Sequence, residues 1–429
     1  MTGKPSGGAA RTGRPCTVAS TGRCQPTSTL TAAATSFASQ KLPHHISEWV
    51  IFPRMVLGTA EDAMDAMRHH PILFDRQWAA GRVRMQMSDV LSPPAERGSA
   101  YAQLSRQIKQ AGLLQRRSRY YYWKMAITAG LLVAGWCAFV LVGDSWWQLG
   151  VAAFLAIVFT QVGFLGHDAG HGQVFGSRRA NYIIGVLHAN LAIGLSYGWW
   201  VDKHNRHHAH PNSEDKDPDV SVAPLAFTVN QARRSRGLAR LAHRYQAYLF
   251  FPLLLLEAVS LHLASVKALI RRSARNRSQE TLLLGLHLAG YFAVVFLVLS
   301  PVKAVVFIIV QQGLFGLYLG CSFAPNHKGM PNLDPADEGD FLRRQVLTSR
   351  NVRGGWLTDF ALGGLNYQIE HHLFPSMPRP NLRHSRLLVR TFCRDNNVLY
   401  TETSLVASYA QALRHLNAVG RATRVPAVA

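Results

Sequence analysis

The stretch MAITAGLLVAGWCAFVLVGDSWWQLGVAAFLAIVFTQVGFLGHDAGH, residues 125–171, contains two long apolar runs with a polar turn between them. The runs cover about 125–142 and 147–166, and each is close to the roughly 20 residues that a helix needs to cross a bilayer. The Gly-Asp-Ser turn at 143–145 is too short to let the helices separate. The sequence therefore predicts a helical hairpin in a membrane.

A second predicted hairpin has spans at about 281–300 and 303–322, with Pro301 at its turn. Basic residues lie near the open ends of both hairpins: Arg178 and Arg179 follow the first, and five Lys or Arg residues between 267 and 277 precede the second. Such residues favour the cytoplasmic side. We expect an all-α integral membrane protein with four transmembrane helices in two hairpins, a cytoplasmic helical cap and both termini in the cytoplasm.

Two other apolar stretches, Tyr182–Val201 and Tyr245–Val266, contain polar residues. If both crossed the bilayer, the histidines between them would lie on the opposite side from those that end the first hairpin. We therefore interpret both stretches as interfacial or partly inserted helices.

Histidines form three clusters near these apolar segments. They are His167 and His171; His204, His207 and His208; and, together with Gln368, His371 and His372. Residues three or four positions apart share one helix face, so each cluster can point at one spot. Imidazole suits iron, copper, zinc or nickel, and seven imidazoles exceed the needs of one ion. Three such clusters favour a two-metal site over solvated or core histidines.

In their order and topology, the three clusters resemble the histidine boxes of the membrane-bound fatty acid desaturases, over about residues 100–400. The resemblance implies a non-haem di-iron centre that uses O2 and two electrons to introduce a double bond into an acyl chain. It also implies an eighth ligand, His327, after the last span. The implied catalytic and metal-binding residues are His167, His171, His204, His207, His208, His327, His371 and His372.

Gln368 stands where many relatives begin the third box with histidine, as in front-end desaturases, and it can ligate directly or through water. A carboxylate beside a ligand can orient an imidazole N–H or simply cap a helix or lie on the surface. The residues with these two interpretations are Asp168, Asp202, Asp359 and Glu370. Similarly, Trp199, Trp200 and Trp356 suit either an acyl tunnel or the membrane interface. We expect Asn212, Asp217 and Asp219 to shape a loop. The histidines left outside the site are His188, His210, His262 and His287.

Composition narrows the functional class. The hydrophobic share is 48%, the charged share 16% and the net charge +22. The basic residues flank apolar runs, so we expect a membrane protein that binds no nucleic acid. The five cysteines are scattered without CxxC spacing, which argues against a disulfide scaffold or a thiolate site. Metal transport is a rival function. It predicts ionisable residues at mid-membrane depth, whereas the histidine clusters lie at the ends of the hairpins and the predicted spans are almost free of charge.

The expected partners are a fatty acyl substrate linked to coenzyme A or a lipid, O2, and a separate electron donor such as a ferredoxin or a flavoprotein reductase. We expect the donor to be a separate protein, because the sequence contains no His-Pro-Gly-Gly motif, which marks the fused cytochrome b5 domain of many front-end desaturases. A membrane di-iron hydroxylase is the alternative activity, and a bacterial plasma membrane is the expected location.

The expected organisation is a disordered basic tail at 1–45, a poorly defined segment at 46–100, a membrane desaturase domain at 101–420 and a frayed C-terminus at 421–429.

Overall fold

The computed structural model describes residues 94–220, 224–271, 276–331 and 340–424. The predictions for 1–45, for most of 46–100 and for the last five residues lie outside this part of the chain. The described residues are mostly helical. One short parallel pair of strands, β1 (Asn351–Arg353) and β2 (Glu402–Ser404), is the exception to the all-α prediction.

The helical elements are, in chain order, α1 Pro94–Gln110, α2 Ser118–Val142, α3 Gln148–Gly170, α4 Arg178–Val186, a π-helix Leu187–Ala192, α5 Tyr197–Ala209, α6 Val229–Arg234, α7 Gly237–Arg244, α8 Gln246–Leu254, α9 Glu257–Ile270, α10 Arg277–Val298, α11 Pro301–His327, α12 Phe341–Leu347, α13 Trp356–Ala361, α14 Gln368–Leu373, α15 Arg379–Asp395, α16 Leu405–Arg421 and a 3-10 turn Ala422–Arg424.

Four of these helices, α2, α3, α10 and α11, are long and apolar enough to cross a membrane. Large apolar side chains on their outer faces are exposed, including Leu141 at 86% and Leu297 at 84%. Such surface is unfavourable in water and suits lipid. The prediction of a multi-pass membrane protein with four candidate spans is confirmed. Both α3 and α11 extend beyond the predicted spans, because the histidines at their ends belong to the same continuous helices.

Neither ambiguous apolar stretch forms a straight spanning helix. The first is interrupted by the π-helix at Leu187–Ala192. The second is the pair α8 and α9, which is bent by 69° and would be a fifth span only if counted as one unit. Pro252 lies inside α8, and proline at such a position removes a backbone hydrogen bond. The interfacial placement of both stretches stays a prediction.

Helix α3 lies at the centre of the membrane part and packs against α2 and α11. An edge-to-face contact joins α3 to α11, with the ring centroids of Phe159 and Phe315 5.6 Å apart. A second such contact, between Phe139 and Phe307 at 4.8 Å, joins α2 to α11. A second core joins α1, α14 and α15 in the cap, where the Ile369 side chain is fully buried. The third histidine cluster is therefore built into a packed core.

Candidate metal centre

The first two histidine clusters are placed by the ends of α3 and α5. His167 lies in the last turn of α3 and His171 directly follows that helix. At the start of α5, the Ser196 hydroxyl donates to Glu280 Oε2 at 2.7 Å, and Gly198 N donates to the same carboxylate at 3.2 Å. Glu280 is fully buried in α10. A carboxylate at a helix N-terminus is favourable, so the second hairpin fixes the helix that carries the second cluster.

The third cluster is fixed by Glu370, which directly precedes His371 in α14 and is fully buried. Its carboxylate accepts from Asn351 Nδ2 and from the Tyr400 hydroxyl, each at 2.7 Å. Asn351 Oδ1 in turn accepts from Ile369 N at 2.9 Å. Burial raises the pKa of Glu370 to about 7. These contacts tie α14 to strand β1 and to the segment before β2.

The eight histidines converge, and their imidazole nitrogens fall into two groups. In the first group the ligand atoms lie within 4.8 Å of one another, and its members are His167, His171, His204 and His371. The second group, within the same limit, consists of His207, His327 and His372. His208 lies between them: its Nε2 is 3.1 Å from His204 Nε2, and its ring stacks on His372 at 4.2 Å.

The second and third clusters therefore each divide between the two groups. His204 and His207 are three residues apart on α5 and still serve different groups, as do the neighbours His371 and His372. Two compact groups of nitrogens are what two metal ions would need.

The second group is oriented by hydrogen bonds to Nδ1. Nδ1 of His207 donates to Asp217 Oδ2 at 2.9 Å, and Nδ1 of His372 donates to Gln345 Oε1 at 2.9 Å. Nδ1 of His327 donates to a backbone carbonyl, that of Thr348, at 3.1 Å. A proton on Nδ1 leaves the Nε2 lone pair available for a metal.

The orphaned nitrogen atoms support metal binding. Nε2 of His167, His371 and His372 are buried and have no hydrogen-bond partner among the described residues. Burial, with neighbouring histidines as a further cause, lowers the pKa of His204, and that of His371, well below 6.5. Neutral imidazoles with unpaired nitrogens suit divalent cations, so the residues fit a metal pair.

Gln368 reaches the second group through its amide. Its Nε2 is 2.9 Å from His327 Nε2, while its Oε1 accepts from Asn326 Nδ2 at 3.3 Å. In this orientation the nitrogen faces the cluster. Ligation by the Gln368 oxygen stays a prediction.

Of the carboxylates expected beside ligands, one contacts its neighbouring imidazole. Asp168 Oδ1 lies 3.4 Å from His167 Nδ1, and its Oδ2 forms a buried ion pair with Arg379 at 2.6 Å. The contacts of the others do not support imidazole orientation. Asp202 pairs with Arg206 at the surface, and Asp359 accepts from Asn366.

Sequence reasoning missed three polar partners of the ligands. Asp217 was expected only to shape a loop; it accepts from the backbone of Asn212 and Asp219 and also from His207. Gln345 and the Thr348 carbonyl lie on α12 and just after it, far from any histidine in sequence. No local pattern signals them, because their role depends on how α12 packs against α14.

A partly open cavity of about 220 Å³ adjoins both groups. The members of the site that line it are His167, His204, His207, His327 and Gln368. Its other walls are largely apolar, with Phe164, Ile193 and Leu319 among them. Trp200 also lines the cavity and stacks on His204 at 4.6 Å, whereas Trp356 is 71% exposed. An apolar cavity beside a metal site suits a hydrocarbon chain.

The histidines excluded from the site take part in helix packing or lie apart. His188 Nδ1 bonds the Ile184 carbonyl, His262 Nδ1 bonds the Gly194 carbonyl, and His287 Nδ1 bonds the Leu191 carbonyl. His210 directly follows α5. None of these four belongs to either group of nitrogens in the described part of the chain.

Comparisons with known proteins agree with this site. The family model described as "Fatty acid desaturase" matches residues 144–404, more than half of the chain. An acyl-lipid (9-3)-desaturase of Physcomitrium patens is 32% identical over 64% of this chain and 54% of that protein. A Delta(6)-fatty-acid desaturase of Caenorhabditis elegans is 31% identical, covering 74% of each chain. A Delta(8)-fatty-acid desaturase of Euglena gracilis is 30% identical over 79% of this chain and 84% of that protein.

The matched region contains all three histidine clusters and His327. The chain belongs to the fatty acid desaturase family of membrane-bound oxidoreductases.

Proposed function

We propose that this protein is an acyl desaturase that holds two iron ions in its cage of eight histidines and acts on acyl chains bound to a carrier. The observation that carries the proposal is the convergence of both nitrogen groups on the wall of one apolar cavity. A methylene chain in that cavity would lie against the metal-binding nitrogens.

The bound iron would supply the oxidising chemistry with O2. The reaction removes one hydrogen from each of two adjacent methylenes and, with two electrons and two protons, yields two waters. The protein's own contribution is to position the chain and to exclude water. Packed side chains such as Phe164 and Phe250 line the cavity, so the substrate would be held in an apolar environment.

We propose that His167, His171, His204, His371 and, between the groups, His208 serve one ion, and that His207, His327 and His372 serve the other. Gln368 completes the second set directly or through water. The carboxylate of Asp217 and the amide of Gln345 would hold their imidazoles in one tautomer, which raises ligand basicity.

The proposed topology places the metal centre and both termini in the cytoplasm of a bacterial cell, with the chain in the plasma membrane. Support comes from Arg178, Arg179 and the basic residues between 267 and 277, all near the histidine end of the hairpins. The net charge of +22 would attract an acidic electron donor such as a ferredoxin or a flavoprotein reductase.

The names of the relatives suggest where the double bond is placed. The names Delta(6) and Delta(8) place the new double bond near the carboxyl end of the acyl chain, and the Physcomitrium patens relative is named as an acyl-lipid desaturase. We propose the same class of position here, with an ester or thioester as the carrier linkage.

Iron content and products together test this proposal. Detergent-purified wild-type protein should contain about two irons per chain, and cells that express it should gain an unsaturated fatty acid. His207→Ala should lose iron and product, whereas His384→Ala, an exposed histidine on α15, should keep both. A hydroxylated product would replace the proposal with a hydroxylase. Zinc alone with unchanged lipids would reject the di-iron centre.

A further inference from the structure

Four charged residues line the otherwise apolar cavity: Lys203, Asp219, Glu257 and Lys328, here called the polar wall. They come from α5, the loop after it, α9 and the residue after α11. Charges on the wall of an apolar cavity are costly unless they are paired or meet a polar ligand. A charged side chain of the wall that lacks a partner in the protein is therefore a candidate to meet a polar group of a ligand.

Two members of the wall are engaged with each other, since Lys203 forms an ion pair with Asp219. Lys328 Nζ donates to the backbone carbonyl of Asp219 at 2.9 Å and lies 3.8 Å from the ring centroid of Phe227. Within the described ranges, no carboxylate oxygen lies within 4 Å of Lys328. An ammonium has three donors, so Lys328 has hydrogen-bonding capacity to spare.

Glu257 is an acidic member of the polar wall. Its carboxylate lines the cavity and has no hydrogen bond or ion pair with any other residue that the structure describes. Two cations and two carboxylates give the polar wall no net charge. A neutral polar group is accepted by such a wall, whereas a ligand carboxylate would be the third, would be repelled by Glu257 and would compete with Asp219.

The polar wall lies directly beside the second nitrogen group. Lys203 is one turn before His207 on α5, and Lys328 immediately follows His327. Asp219 Oδ2 is 3.6 Å from His207 Nδ1. A ligand atom bound by Lys328 would thus occupy the same cavity as methylenes that meet the metal ligands.

We propose that the polar wall binds the carbonyl of the acyl ester or thioester, with Lys328 as the hydrogen-bond donor to the carbonyl oxygen and Glu257 disfavouring a free carboxylate. The inference rests on the proposed function and deepens it. It makes Lys328 a residue that sets the distance from the carbonyl to the new double bond, because the anchor and the metals are fixed in one cavity.

The first test measures binding, which does not require turnover. Iron-loaded, detergent-purified protein is titrated with labelled methyl stearate and with octadecane, which lacks the carbonyl. Wild type should prefer the ester about tenfold, the ratio that about 1.4 kcal/mol represents. Lys328→Met should lose this preference, and Lys109→Met, an exposed lysine on α1, should retain it. An unchanged preference in Lys328→Met would overturn the assignment.

The second test measures the product. Cells that express wild type or Lys109→Met should place the double bond at one distance from the carbonyl in acyl chains of different lengths. Lys328→Met, at wild-type iron content, should give at least tenfold less product or a mixture of neighbouring positions. A wild-type amount at the wild-type position would contradict the proposal. If wild type made no double bond at all, the proposed function would fail, whereas the binding preference would stand or fall separately.

Stearoyl-coenzyme A and stearoyl phosphatidylcholine vesicles distinguish the two carriers, since the first presents the stearoyl carbonyl as a thioester and the second presents it as an ester in a lipid surface. The carrier whose binding Lys328→Met weakens is the one that the wall receives. If Lys328→Met loses iron, the Glu257→Gln variant is used instead. Glu257 lies on α9 and belongs to neither nitrogen group, so its replacement should leave the iron content unchanged. That variant should raise the binding of stearate relative to methyl stearate, and an unchanged ratio would rule out the wall as the carbonyl site.

Discussion

Asp217 Oδ2 lies 2.9 Å from Nδ1 of His207 and also accepts from the backbone N–H of Asn212 at 2.8 Å. One carboxylate thus closes the loop after the second histidine cluster and fixes the orientation of a ligand in that cluster. Its full burial makes this contact strong, because water cannot replace either partner.

Replacing Asp217 with Asn should weaken metal binding. The amide keeps the size of the side chain but loses the charge that holds His207, and removal of such a partner typically costs about 10–100-fold in metal affinity or activity. Iron content under chelator titration and product yield measure the effect. Asp202→Asn, an exposed carboxylate paired with Arg206, is the matched control. Equal iron retention in both variants would remove the orienting role of Asp217.

Replacing Glu280 with Gln should impair the second cluster from a distance. The carboxylate accepts hydrogen bonds from the Ser196 hydroxyl and from the backbone N–H of Gly198. The NH2 group of a glutamine side chain is itself a donor, so it could not accept from either of them. A buried unsatisfied group costs about 1–3 kcal/mol. We expect a lower thermal midpoint in detergent and a partial loss of iron.

The control for Glu280 is Glu402→Gln, which alters a partly exposed pair with Arg386. If the midpoints of the two variants matched that of wild type, the anchoring of α5 by α10 would be refuted.

Narrowing the cavity should shorten the accepted acyl chain. Leu261 lines the cavity, while Leu263 on the same helix is 66% exposed. Leu261→Trp adds bulk inside a packed space, where overpacking typically costs about 1–3 kcal/mol. Product yields from acyl chains of graded length should fall most for the longest chain. Leu263→Trp should leave the length profile unchanged, and a similar shift in both variants would exclude Leu261 from the substrate cavity.

Metal-free protein should lose stability as the pH falls below about 6.5. Burial lowers the pKa of several cage histidines well below 6.5, and those outside the membrane helices are His171, His204, His208, His371 and His372. Below that pH the unfolded chain binds protons that the folded chain does not, so the free energy of unfolding falls by up to about 1.4 kcal/mol per pH unit for each histidine.

The measurement compares thermal midpoints of chelator-treated protein at pH 7.5 and 5.5. A lower midpoint at pH 5.5 is expected, and equal midpoints would show that these imidazoles are not held neutral by burial.

Local sequence patterns predicted most of the scaffold and the residues that converge. Long apolar runs indicated the four spans, since the bilayer sets the length of a helix directly. Leu104 and Ile108, four residues apart, share one face of α1, and both side chains are fully buried. The assignment of imidazoles to groups could not be predicted, because neighbours such as His371 and His372 diverge from one helix into different groups.

The sequence by itself determined a four-span membrane protein, the family and a set of histidines that share helix faces, because helix periodicity and hydrophobicity are local properties. Only the tertiary structure decided that Asp217 holds His207, that Glu280 anchors α5 and that the polar wall lines the cavity. The first relationship depends on how the loop after α5 folds back on that helix. The other two join residues far apart in sequence, and they exist only where packing brings the helices together.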